Sequence, residues 1–173
     1  MGFAAAIRSC LGQYVGFRGR ASRAEYWWFT LALFLAGLVA ALIDDLVFGV
    51  TGSGTIETIA PAAGVEGTGV WAELGQGPVA SLLGLVTFLP ALAVAVRRLH
   101  DTERSGWLLL APFAIAFGGP VVVLAFAPLF GGILAGVWVL AFLAALLLPL
   151  WWFVQRGTPG PNAYGPDPLE TAR

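Results

Sequence analysis

Hydrophobic positions in this chain form long unbroken runs, without the alternation of a one-sided strand or the three-and-four spacing of a one-sided helix. The first run extends from Tyr26 to about Val47, opens on Trp27-Trp28 and closes on Asp44-Asp45. A helix of about 20 residues rises roughly 30 Å, the thickness of the hydrocarbon core of a bilayer. The run is therefore expected to cross a membrane once, with its tryptophans at headgroup level. Pro78 to Val96 is the second run, ended by Arg97-Arg98, and Pro90 within it is expected to kink the helix. From Trp107 to Val154 there are about 48 residues without a charged side chain, interrupted by Pro128 and Gly131-Gly132. That length predicts two helices folded back as a hairpin, with the turn near Pro128 to Gly132. One re-entrant segment is the alternative. Pro112, Pro120 and Pro149 are further local distortions that neighbouring helices must accommodate.

The pattern gives an all-α, polytopic membrane protein of four transmembrane helices. Residues 1–25 precede the spans, and Phe3, Ile7, Leu11 and Tyr14 recur there at the spacing of one helical face beside Arg8, as in an amphipathic helix lying in the interface. Residues 26–156 hold the four-helix domain. The stretch at about 50–77, rich in Gly and Thr and carrying Glu57, Glu66 and Glu73, is expected to be an exported acidic loop. Residues 157–173 form a tail too rich in Pro and Gly for another helix. The chain start shows no small-residue cleavage site after a short apolar core, so the first helix is expected to be retained. It also lacks the Ser or Thr of a myristoylation site.

Composition strengthens the reading: 58% of the chain is hydrophobic, 11% is charged, and the mean hydropathy is +0.84. A soluble domain averages about 45–50% apolar. The single Cys10 excludes an intrachain disulfide, and a single His100 beside it excludes the usual structural zinc sets, so neither a metal nor a cofactor is expected. Nucleic acid is not an expected partner either.

Charge then fixes orientation. All nine basic residues are arginines: Arg8, Arg18, Arg20 and Arg23 precede the first span, Arg97, Arg98 and Arg104 lie between the second and third, and Arg156 and Arg173 follow the fourth. Four spans put all of them on one side, which the positive-inside rule makes the cytoplasm, with both termini there. Three spans would strand Arg156 outside.

Four motifs stand out: Phe17-Arg18-Gly19-Arg20-Ala21-Ser22-Arg23-Ala24-Glu25-Tyr26-Trp27-Trp28-Phe29, Arg97-Arg98-Leu99-His100-Asp101, Ser105-Gly106-Trp107, and Asn162-Ala163-Tyr164-Gly165-Pro166-Asp167-Pro168. Together they resemble the bacterial inner-membrane family called domain of unknown function 805, over roughly residues 10 to 168. The resemblance implies a multi-pass protein of the bacterial inner membrane with about four helices, and it implies no reaction. That family typically carries a glycine before Ser-Gly-Trp where this chain has Glu103, and the acidic loop here is longer than the family leads one to expect.

The topology gathers Arg18, Arg20, Arg23, Arg97, Arg98, Arg104 and Arg156 at one membrane-proximal surface, near Glu25, Asp101 and Glu103. Seven positive against three negative groups leave about four surplus charges, which attract anionic headgroups at about 1 kcal/mol per basic residue. Arg18, Arg20, Arg23, Arg97, Arg98 and Arg104 are thus candidates for an anion or lipid-headgroup site, since the guanidinium offers phosphate a planar fork of donors. The plainer reading is that they set topology and pair with acids, Arg97 with Asp101 at a spacing of four. Exclusive use of Arg is no discriminator, because a GC-rich coding sequence gives the same bias.

His100, Asp101 and Ser105 raise the thought of a relay, but neighbouring helical side chains diverge by about 100°. A structural role is favoured for Glu25, His100, Asp101, Trp107, Asn162, Tyr164 and Asp167: pairing, fixing the loop between the second and third helices, and interfacial anchoring. Gly132 to Gly136 is a GxxxG run, and Ala32, Ala36 and Ala40 repeat small residues, permitting close helix approach within the chain or in a homo-oligomer. The expected partners are the bilayer, anionic phospholipid, and another membrane protein or copy. A nonenzymatic component is favoured. A transporter or channel subunit is the alternative, although the spans keep no ionisable residue in their interiors, Asp44-Asp45 standing at the far end of the first. A lipid-modifying enzyme ranks third.

Overall fold

The computed structural model describes residues 1–49 and 77–170, and its regular elements there are helical. The acidic loop expected at about 50–77 lies outside the described residues, apart from Gly77. A short α1, Phe3–Gly12, precedes α2, Arg23–Phe48, and α3, Pro78–Asp101. Next come α4, Gly106–Phe126, and α5, Gly132–Val154. The four helices α2 to α5 hold 26, 24, 21 and 23 residues, or about 32 to 39 Å at 1.5 Å per residue, enough to cross a bilayer. Their large side chains point outward: Leu46 is 84% exposed, Phe117 76% and Leu124 75%. Apolar surface on this scale is covered by lipid in a spanning helix.

Two compact units make up the fold, one formed by Met1–Thr30 with Leu89–Arg173 and the other by Leu31–Phe88. In the first, α4 and α5 fold back on one another as the uncharged run predicted. Helical backbone breaks at Phe130 (φ −141°, ψ 20°), inside the stretch where Pro128 and Gly131-Gly132 had placed the turn. Across the reversal the indole Nε1 of Trp138 donates to the Ile115 carbonyl at 2.9 Å. The Ser-Gly-Trp motif starts α4 with a 3-10 turn over Gly106–Leu110. Ser105 accepts the Trp107 N–H, and a Cβ on Gly106 would stand 2.6 Å from Val96 Cγ1 of α3, so only glycine lets the turn pass. Trp107 itself is 78% exposed.

The connection from α3 to α4 contains the position where the chain departs from the resemblance. Glu103 takes φ 58°, the left-handed region in which a side chain crowds the backbone and glycine does not. In the second unit, Asp44 near the end of α2 is buried and caps the start of α3. Its Oδ1 accepts from Val79 N at 2.9 Å and its Oδ2 from Ala80 N at 2.8 Å, while Pro78 occupies the first turn where no donor is needed.

Two outcomes follow for thermal unfolding of the purified protein in detergent. Asp44→Ala strips both caps from α3 and lowers stability by about 1–2 kcal/mol, with Asp44→Asn milder. Glu103→Gly relieves the left-handed backbone and raises stability by about 1 kcal/mol. A lower melting temperature for Glu103→Gly contradicts the strain.

Candidate functional site

Three arginines, expected from the sequence to stand at a surface, are buried in the first unit. Arg97 is 1% exposed, Arg98 0% and Arg20 8%. A buried charge is tolerated only when paired and hydrogen-bonded, and each finds its partners in segments far away in sequence.

Asp101, at the end of α3, holds two of them. Its Oδ1 accepts from Arg20 Nε at 2.9 Å and lies 2.8 Å from Arg20 Nη2, while its Oδ2 pairs with Arg98. The rest of each guanidinium goes to backbone. Arg20 donates to the carbonyls of Gly160 (2.6 Å) and Thr158 (2.5 Å) in the tail. Arg98 donates to the carbonyls of Phe153 (3.2 Å) and Gln155, at the C-terminal end of α5. The carbonyls that a helix end leaves without internal partners are satisfied here by a cation, the sign the helix dipole favours. Gly157 passes directly over Asp101, where a Cβ would overlap the carboxylate.

Glu25 holds the third. Arg97 Nη1 donates to Glu25 Oε1 at 3.1 Å and to Gln13 Oε1 at 3.0 Å, and Ser9 donates to the same Glu25 oxygen at 2.9 Å. The backbone joins in: Ala21 N donates to the Arg97 carbonyl at 3.0 Å, and Ser22 caps α2 by accepting the Glu25 N–H at 3.2 Å. The expected pairing of Arg97 with Asp101 is therefore replaced. Arg98, three residues before Asp101, takes that acid, and Arg97 turns towards α1 and α2. Positions three and four residues away can both reach an acid on a helix, and here Glu25 meets Arg97 from another segment.

In α1 the buried face is Ala6 and Cys10, while Phe3 and Leu11 of the expected apolar face are exposed and Tyr14 lies beyond the helix end. Burial, followed by the nearby Glu25 charge, pushes the Cys10 thiol up to about 12, so it stays protonated and unreactive.

His100 faces the tail. Its Nδ1 lies 3.1 Å from the Gly19 carbonyl, which only accepts, so that nitrogen carries the proton. The ring stacks on Tyr164 at 3.9 Å and 5°. Asn162 Nδ2 donates to the His100 carbonyl at 3.0 Å and to Thr158 Oγ1 at 3.1 Å, and its Oδ1 accepts the Tyr164 N–H. Asp167 accepts from Gly160 N and Leu169 N, fixing the turns of the tail. Thus the His100, Asp101 and Ser105 side chains share no partner and do not form a relay. Arg104 lies 4.8 Å over the Trp152 ring, and Arg18, Arg23 and Arg156 are exposed.

All four sequence motifs meet in this cluster or beside it, so the comparison with known proteins bears on it directly. Residues 14–166 match the family described as Protein of unknown function (DUF805). The chain belongs to that family. It is similar to the inner membrane protein YhaI of Escherichia coli (strain K12), 37% identical over 162 residues and 92% of each chain. It is also similar to the inner membrane protein YhaH of the same strain, 34% identical over 158 residues and 91% of each chain. No solved structure gives a significant match. With four helices able to span and relatives of the inner membrane, this DUF805 protein is a multi-pass inner membrane protein.

Several members of the cluster carried no sequence signal strong enough to single them out. Ser22 with Glu25 has the Ser-x-x-Glu spacing of a helix N-terminus, which marks Ser22 as a cap. Ser9, Gln13, Thr158 and Gly157 act through contacts 16 to 84 residues apart, and no local spacing reveals them.

Breaking the cluster at Asp101 leaves two buried guanidiniums without a counter-charge. Asp101→Asn is expected to cost about 3–5 kcal/mol. In detergent this reads as a large loss of thermal stability, together with protease cleavage of the tail after Gln155. A tail that stays protected in a variant of wild-type stability contradicts the arrangement.

Proposed function

We propose that this DUF805 protein is a nonenzymatic component of the inner membrane whose basic cytoplasmic face associates with anionic lipid or with a protein partner. The observation that supports this most is the division of the arginines. Arg20, Arg97 and Arg98 are consumed in buried pairs that tie the N-terminal segment, α3 and the tail together. Arg18, Arg23 and Arg156 are left exposed on the same compact unit, with Arg104 half-buried over Trp152. A surface held rigid by its own buried pairs presents these charges without first having to order them, which favours binding. Anionic lipids of the cytoplasmic leaflet are attracted by about 1 kcal/mol per arginine near the surface. The N-terminal segment 1–25 belongs to this face, its exposed Phe3 and Leu11 suited to the interface.

The test extracts the protein with its surrounding lipid in polymer nanodiscs and compares wild type with an Arg18→Gln, Arg23→Gln, Arg104→Gln variant, after confirming insertion. Wild type is expected to carry more anionic lipid than the bulk membrane, or a co-purifying chain, and the variant to lose the excess at least about tenfold. Identical lipid and protein composition in both would remove the support for this reading.

A further inference from the structure

The exposed arginines are not spread evenly around the cluster. A cleft of ≈ 890 Å³ opens beside it, between the start of α2, the end of α5 and the tail, with Arg23 and Arg156 on its wall. Its size falls within the range of about 300–1,000 Å³ typical of small-molecule sites. We propose that this cleft holds the phosphodiester headgroup of one anionic phospholipid, clamped between Arg23 and Arg156. The proposal rests on the reading of the basic face given above and narrows it to one site and one ligand class.

Three observations point there. The first is unspent donor capacity. Arg156 is exposed and makes no hydrogen bond or ion pair among the described residues, and Arg23 makes only a long bond of 3.4 Å to the Val154 carbonyl. Each guanidinium keeps a planar fork of donors for phosphate oxygens.

The second is the state of the acids on the same wall. Glu25 is neutralised by Arg97, Asp101 faces both Arg20 and Arg98, and the Asp167 carboxylate accepts from two backbone amides. The charge left facing a ligand is positive.

The third is the apolar rim. Trp27 and Trp28, 42% and 39% exposed, flank the cleft with Val154 (56%) and Leu169 (66%). Trp27 and Trp28 belong to α2 and Val154 to α5, and both helices continue as exposed apolar surface. A headgroup seated at the arginines therefore has a path for its acyl chains past Trp27, Trp28 and Val154 and along α5. A soluble phosphate would leave that rim uncovered, which is why the ligand is assigned to the surrounding leaflet.

The measurement is native mass spectrometry of the full chain, released from nanodiscs of phosphatidylglycerol mixed into phosphatidylcholine. Wild type is expected to retain one phosphatidylglycerol per chain. Arg23→Gln with Arg156→Gln is expected to lower that retention at least about tenfold, whereas the paired Lys variant keeps most of it. Leu169→Glu, an exposed substitution that places an acid on the cleft wall, is expected to act like the Gln pair while leaving the fold intact. Arg8→Gln, outside the cleft, is expected to change nothing.

Retention that survives both the Gln pair and Leu169→Glu would overturn the site. So would equal retention of phosphatidylcholine, or displacement by excess inorganic phosphate, which would make free phosphate the ligand. Loss in the Arg8→Gln variant as large as in the cleft variants would mean diffuse attraction, ending the cleft and leaving the broader reading standing. No anionic lipid retained or enriched in wild type would end the cleft together with the lipid half of the broader reading.

Discussion

A buried carboxylate facing two buried guanidiniums is the interaction on which the rest of this unit depends. Asp101 alone pairs with both Arg20 from the N-terminal segment and Arg98 from its own helix. Each of those arginines then reaches backbone carbonyls in the tail or at the end of α5. Desolvating three such groups costs several kcal/mol per ion, and the cost is met only while every partner is in place. The segments concerned are too short and too rich in Gly and Pro to hold a conformation of their own. Their geometry follows from having to satisfy the charges, as the Asn162 turn and the cramped passage of Gly157 show.

The two halves of the cluster are not equally secure. Arg98 uses Nε, Nη1 and Nη2 on three acceptors, and Arg20 likewise spreads its donors over Asp101 and two carbonyls. Arg97 spends one nitrogen on Glu25 and Gln13, and its Nε and Nη2 are buried without an acceptor among the described residues. Each donor left unmet forfeits about 1–3 kcal/mol. The grip of Arg97 on α1 is accordingly weaker than the grip of Arg20 and Arg98 on the tail, and α1 is the first part expected to open locally.

What the sequence made legible was whatever the bilayer imposes. Four apolar runs, a break near Pro128 and arginines confined to alternate connections follow from lipid as solvent, and local reading suffices for them. Glu103 shows a middle case: its left-handed backbone is a local property, visible in the sequence only against the glycine expected there. The burial of Arg20, Arg97 and Arg98 was not legible, because an arginine next to a membrane span reads the same whether its guanidinium lies in water or in a carboxylate cage. The swap of Arg97 for Arg98 as the partner of Asp101 has the same origin, since spacings of three and four are equally good on a helix. Asp44 was read as the end of a span, and its capping of α3 depended on a contact 35 residues away.

The choice of arginine over lysine can now be judged position by position. A biased coding sequence would suffice for Arg8 and Arg18, which are exposed and make no side-chain hydrogen bond or ion pair among the described residues. It does not explain Arg20 and Arg98. Each bonds a carboxylate and two carbonyls at once from nitrogens fixed in one plane, a reach that the compact ammonium of lysine cannot reproduce. The charges that bear on orientation in the membrane and the bonds that tie the N-terminal segment, α3 and the tail together therefore reside in the same side chains. Four spans bring Arg20, Arg98, Asp101 and the tail to one side, where the pairs can form. Carrying those guanidiniums across the bilayer is costly, so the side chains that resist translocation are also the ones the local fold consumes.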